Sequence, residues 1–147
     1  MFFNNNAAIV ARHGDIAFAS QPALRDLDQW AADGVTLVIN SRTPEETAGL
    51  GFDLEREITA HGMRYAEMPI GGSHGADPAL TAALPGLLAQ AGGPVVMHCR
   101  SGTRSAHLYA AHRVAEGEPL ETVFDTIGWR GGRDLNLVRA LIPDSTA

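Results

Sequence analysis

Two short runs, Val35-Thr-Leu-Val-Ile-Asn40 and Val95-Val-Met-His98, constrain the fold more than anything else in the chain. Both are rich in β-branched and other apolar residues, with no alternation that would leave one face in water, so each reads as a strand covered on both sides. Each also follows a segment of helical spacing that stops at glycine. Pro22 sits where a first helical residue is favoured, Leu24, Leu27 and Ala31 form one face, and Gly34 ends the helix. Asp77 before Pro78 reads as an N-cap with a first-turn proline, and Leu80, Leu84, Leu87 and Leu88 keep helical spacing up to Gly92-Gly93. Helix, stop and buried strand, repeated, imply an α/β fold: a mostly parallel central sheet flanked by helices.

The rest of the chain fits that frame. Ile16 to Ser20 reads as a short strand, and Met63 to Ile70 as another after a helix over Asp53 to His61. Ala106, Tyr109, Ala110, Arg113 and Val114 mark one helix face; Leu120, Val123, Phe124 and Ile127 predict a further helix, and Leu135, Val138 and Ile142 another. Gly and Pro fall between periodic segments, with no repeat or low-complexity tract, so residues 1–147 read as a single domain. Eleven basic against 17 acidic residues give a formal charge of -6, which argues against nucleic acid or an anionic membrane as the main partner. The opening MFFNNNAAIV lacks a basic leader pattern, no run is long enough to span a membrane, and one cysteine cannot form an internal disulfide. These features predict a soluble, cytoplasmic protein.

The chemistry concentrates where a buried strand ends. Residues 94–105 read PVVMHCRSGTRS and contain the only cysteine, Cys99. In open α/β sheets, ligands bind beyond the carboxyl ends of the strands, and a strand, tight loop and helix in succession aim backbone N–H groups and a helix N-terminus at one point. Such a point attracts an anion, and helix N-termini and guanidinium groups favour a thiolate over a thiol. Cys99 is therefore the candidate nucleophile and Arg104 the candidate oxyanion clamp, able to offer a bidentate fork. Arg100, Ser101, Gly102 and Thr103 supply loop amides, with Gly102 chosen for a positive φ or a close backbone approach. Ser105 is placed to donate its hydroxyl to the sulfur, while strand alternation turns His98 away from Cys99, to brace the loop from behind. His107 and His112, five apart, do not stack as ligands on one helix face, so no metal or other cofactor is expected.

His98-Cys-Arg-Ser-Gly-Thr-Arg-Ser105 resembles the signature of the cysteine-dependent phosphatases, and the chain more closely resembles the DUF442 family, the phosphatase-like domain also found attached to β-lactamase-like hydrolases. The resemblance rests further on Ala19-Ser-Gln-Pro22, Gly34 to Asn40 with Arg42, Gly62-Met-Arg-Tyr65 leading to Met68-Pro-Ile-Gly-Gly72, and Gly132-Arg-Asp-Leu135. It runs from about Asp15 to Leu141, and it implies a dual-specificity-phosphatase-like fold acting on a small oxyanion or phosphorylated substrate.

Two features keep other chemistries open. Four residues separate Cys99 from Arg104, whereas the phosphatase motif has five, and a short loop of this kind is equally similar to rhodaneses, which carry sulfur as a cysteine persulfide. The position where dual-specificity phosphatases place an acidic residue holds glycine in Met68-Pro-Ile-Gly-Gly72, leaving His74 and Asp77 as the nearby candidates for a general acid. Asp77 reads better as a helix cap and His74 as a solvated loop residue; Arg42 lines either the pocket rim or the open surface. Trp129, Arg130 and Arg133 border the pocket or turn a helix corner. The leading reading is a phosphatase-like hydrolase; the alternatives are a sulfurtransferase and a non-catalytic oxyanion-binding module. Oligomeric state is not encoded in any of these features.

Overall fold

The computed structural model describes residues 8–143, so the first seven residues of the opening stretch lie outside it. Five strands form one sheet in the order β1-β2-β5-β3-β4: β1 (Ile9–His13), β2 (Ile16–Ala19), β3 (Leu37–Asn40), β4 (Arg64–Glu67) and β5 (Val95–His98). β2, β5, β3 and β4 run parallel, and β1 pairs antiparallel with β2. The expected mostly parallel sheet is present. β1 was not foreseen, although its signal is readable: Ile9-Val-Ala-Arg and Ile16-Ala-Phe-Ala flank Gly14-Asp15, a two-residue hairpin turn in which Gly14 takes φ +59°.

The helices are α1 (Leu24–Ala32), α2 (Pro44–Ala48), α3 (Leu54–Ala60), α4 (Pro78–Ala91), α5 (Thr103–Ala115), α6 (Val123–Thr126) and α7 (Leu135–Leu141). Along the central strands, alternate residues face opposite layers. Leu37, Ile39, Val95 and Met97 pack with Leu84, Leu108, Val123 and Val138 of α4 to α7, whereas Val38 and Val96 pack with Leu27, Trp30, Leu54 and Ile58 of α1 and α3. Burying each such aliphatic side chain stabilises by roughly 1.5–3 kcal/mol, which is why both strands carry apolar residues on both faces.

Local chemistry corrects three boundaries. α1 begins at Leu24 rather than Pro22, because the Asp26 carboxylate accepts the Ala23 N–H at 2.7 Å and closes the first turn there. Thr43 and Glu46 form a reciprocal capping box, Thr43 N–H to Glu46 Oε1 at 3.0 Å and Glu46 N–H to Thr43 Oγ1 at 3.3 Å, which creates the unforeseen α2. The helix expected from Leu120 shrinks to the four residues of α6, held by burial of Val123, Phe124 and Ile127. Among the described residues no helix is long and apolar enough to cross a membrane.

Candidate active site

The parallel pairing of the sheet continues one residue past its strands and fixes where Cys99 stands. The Cys99 N–H donates to the Ala19 carbonyl at 3.3 Å on one side, and Ser41 N–H donates to the His98 carbonyl at 2.8 Å on the other. Cys99 is 1% exposed, on the floor of the loop. Gly102 has φ +93°, and its N–H donates to Cys99 Sγ at 3.1 Å. A Cβ at Gly102 would lie 3.0 Å from Val10 Cγ2 and 3.3 Å from the Trp129 ring, so glycine answers both needs, the positive φ and the close approach. α5 starts at the next residue, with Ala106 N–H bonded to the Gly102 carbonyl at 3.0 Å.

Arg104, in the first turn of α5, reaches across to α2. Its Nη1 donates to Glu46 Oε1 at 2.7 Å and to the Ile70 carbonyl at 3.0 Å, and its Nη2 donates to Glu46 Oε2 at 2.9 Å. These bonds use both Nη1 hydrogens and one Nη2 hydrogen of five guanidinium hydrogens. The remaining two, on Nε and Nη2, share one edge of the guanidinium plane and form a fork with no oxygen acceptor among the described residues. The bond to Glu46 raises the Arg104 pKa, and the Cys99 sulfur adds to that effect by its charge and as a hydrogen-bond partner, so sulfur and guanidinium are neighbours. In return Arg104 holds the Glu46 carboxyl well below the usual carboxylate range, helped by its bond from Thr43.

Glu46 was absent from the sequence-based candidates, although the Thr43-Pro-Glu-Glu46 capping pattern was legible. Which cation it would meet was not, because Arg104 lies 58 residues away. A second unforeseen residue is Asn40, fully buried at the end of β3. Its Oδ1 accepts the Arg42 N–H at 2.9 Å, and its Nδ2 donates to Thr47 Oγ1 at 2.9 Å and to the Tyr65 hydroxyl at 3.0 Å. One amide thus ties the turn after β3, the helix carrying Glu46, and β4.

The foreseen residues separate into several groups. Arg100 and Ser101 are exposed on the loop, with Ser101 Oγ and Thr103 Oγ1 hydrogen-bonded at 3.0 Å. Ser105 is buried, yet its Oγ has no hydrogen-bond partner among the described residues and so does not bond the sulfur; this corrects the expected role of its hydroxyl. His98 is fully buried, its Nδ1–H donates to the Cys99 carbonyl at 3.4 Å, and burial pushes its pKa down to about 4, leaving a neutral brace. Asp77 Oδ1 accepts the Ala79 N–H at 2.9 Å, which makes it the cap of α4. His74 is exposed at the end of a turn that closes on itself, Gly71 N–H to Gly75 carbonyl at 2.8 Å. Arg42 is not an open surface residue: its Nε bonds Glu46 Oε2 at 3.3 Å and its Nη1 bonds Gln21 Oε1 at 2.9 Å. Trp129 covers the loop at Gly102, whereas Arg133 turns away to the Asp125 carboxylate at 2.9 Å. His107 is committed to the backbone: its Nδ1–H donates to the Thr103 carbonyl at 2.7 Å and its Nε2 accepts the Asp134 N–H at 2.8 Å.

A profile of the β-lactamase hydrolase-like protein, phosphatase-like domain, matches residues 9–115. The chain belongs to this family. A β-lactamase hydrolase-like protein of Agrobacterium fabrum is 29% identical over 126 residues, covering 82% of this chain and 28% of that protein. The chain therefore spans little more than a quarter of that relative's length. A DUF442 protein of Shewanella putrefaciens has a similar structure, with TM-score 0.71 at 16% identity, covering 93% of this chain and 90% of that one. A kinase-associated phosphatase, solved with its catalytic-site cysteine replaced by serine, has TM-score 0.66 at 15% identity over 76% of this chain and 72% of its own. The fold is that of the protein tyrosine and dual-specificity phosphatases, carried by a phosphatase-like family.

Proposed function

We propose that this domain is a phosphatase-like hydrolase in which the Cys99 thiolate attacks a phosphomonoester. The observation that carries the reading is the Nε/Nη2 edge of Arg104 beside the Cys99 sulfur: its Nε–H and second Nη2–H meet no oxygen acceptor among the described residues, while Glu46 and the Ile70 carbonyl hold the rest of the guanidinium still. A preorganised fork of this kind stabilises charge developing on a transferring phosphoryl group. The sulfur forms a bond to phosphorus as the phosphorus–oxygen ester bond breaks; water then cleaves the phosphocysteine, releasing inorganic phosphate and regenerating the thiolate. The loop amides and the start of α5 complete the anion cradle. The family, and the catalytic-site cysteine of the kinase-associated phosphatase, support this assignment. Residues 1–147 act in it as one phosphatase-like unit.

Among the described residues no carboxylic acid stands ready to protonate the leaving group. Glu46 is the carboxyl nearest the fork, and Arg104 keeps it ionised; Asp77 is a cap and His98 is neutral behind the loop. Esters with good leaving groups are therefore the favoured substrates. The same observation, with the four-residue spacing, favours a second reading. Thiosulfate needs no acid, because attack of the Cys99 thiolate on its outer sulfur leaves a cysteine persulfide and expels sulfite.

Intact-protein mass spectrometry after brief exposure to an activated aryl phosphate, or separately to thiosulfate, decides between them in wild type and Cys99→Ser. Phenol release with a transient phosphate adduct on Cys99 is expected. A Cys99-dependent gain of one sulfur without phenol release refutes the phosphatase reading in favour of sulfur transfer. Tight phosphate binding with neither adduct leaves a binding module.

A further inference from the structure

The hydrogen bonds around Arg104 do not end at Glu46. Arg42 Nε donates at 3.3 Å to Glu46 Oε2, the same oxygen that receives Arg104 Nη2 at 2.9 Å. Arg42 Nη1 donates to Gln21 Oε1 at 2.9 Å. The backbone N–H of Gln21 donates to the Arg100 carbonyl at 3.1 Å. Arg100 lies in the Cys99 loop and Arg104 four residues on, in the first turn of α5, so the path from Arg104 through Glu46, Arg42 and Gln21 returns to the loop that leads into that turn. The circuit joins three segments distant in sequence: the exit of β2, the turn after β3 with α2, and the Cys99 loop.

We propose that Gln21 and Arg42 are positioning residues that hold the Arg104 fork and the Cys99 loop in one geometry by closing this circuit. The proposal deepens the anion-fork reading and rests on it. Partial burial supports it: the side chains of Arg42, Arg104 and Glu46 are 14%, 22% and 30% exposed, so their contacts are screened less than open surface pairs. Their formal charges give a second reason. Two guanidinium groups share one carboxylate, leaving a net charge of +1, and the fourth member, Gln21, is neutral. Glutamine supplies an acceptor for Arg42 without cancelling the positive charge that an anionic substrate needs. Gln21 thus closes the geometry and preserves the field.

Exchange with water of the Arg104 Nη hydrogens that bond Glu46, followed by NMR in the absence of ligand, tests the circuit without relying on catalysis. Gln21→Leu and Arg42→Leu are each expected to accelerate exchange about fivefold, with the double variant no faster than either single one, because a circuit opened at one link gains nothing from a second break. Gln21→Glu is expected to keep exchange slow, since it retains the acceptor, yet to weaken inorganic phosphate binding about fivefold by removing the net charge. Unchanged exchange in Gln21→Leu, or accelerations that multiply in the double variant, overturns the proposal. Melting temperatures verify that all variants are folded. If phosphate leaves the wild-type Arg104 Nε resonance unmoved, the anion-fork reading fails, while the exchange rates still decide the circuit.

Discussion

Glu46→Gln tests the held fork most directly. In the wild type the two carboxylate oxygens receive N–H donors from Thr43 and Arg42 and two from Arg104. Glutamine offers one oxygen and sets an amide NH2 where a guanidinium already presents a donor. A hydrogen bond to a charged group contributes about 1.5–3 kcal/mol, and partial exposure of both side chains puts the whole pair near the low end, at about 2 kcal/mol. For a chain of this length that corresponds to a Tm lower by about 4–8 °C. Expressed in the transition state, the same energy corresponds to roughly a 30-fold loss in kcat/KM. Steady-state hydrolysis of an aryl phosphate, with kcat and KM resolved, and thermal melting by circular dichroism measure both quantities. If kcat/KM stays within about twofold of wild type while Arg104→Lys abolishes turnover, the fork is oriented without Glu46 and the reasoning is refuted. The pH dependence has a definite sign. The folded pKa of Glu46 lies below its ordinary value of 4.5, so the stabilisation is fully present above that pH and is lost only as the pH falls further.

Three more outcomes are expected. Gly102→Ala combines a left-handed φ with a 3.0 Å approach to Val10, and strain of about 1–3 kcal/mol should lower Tm and displace the N–H that meets Cys99 Sγ; unchanged melting and turnover would contradict that geometry. Asp77→Ala should cost about 1 kcal/mol in urea unfolding through loss of the α4 cap, with kcat unaltered; a fall in kcat of a hundredfold would instead make Asp77 the missing acid. Burial lowers the His98 pKa to about 4 from its ordinary 6.5, so the unfolded chain binds the extra proton first. Its contribution is complete above pH 6.5 and declines as the pH falls towards 4; urea titrations should show this slope, and His98→Asn should flatten it.

The element pattern was legible wherever a local rule had no competitor. Val95–His98 is a strand because an apolar β-branched run can only be satisfied in a doubly covered sheet. α4 starts after Asp77 and stops at Gly92, which takes φ +70°, because caps act within one turn. Boundaries were missed where a neighbouring side chain intervened, as when Asp26 began α1 after Pro22 or Thr43 and Glu46 nucleated α2.

At the candidate site, the sequence alone singled out Cys99, its donor-rich loop and Arg104, since thiol, amides and guanidinium fall within six consecutive residues. It did not assign Asn40 or Glu46 to the site, nor show that Arg42 and Gln21 belong together with Arg104. Their partners lie 21 and 58 residues apart along the chain, and only the parallel order of β2, β5 and β3 brings the three strand ends side by side. Hydrogen bonds act over about 3 Å whatever the separation in sequence, so the chain specifies which groups exist and the sheet decides which of them meet.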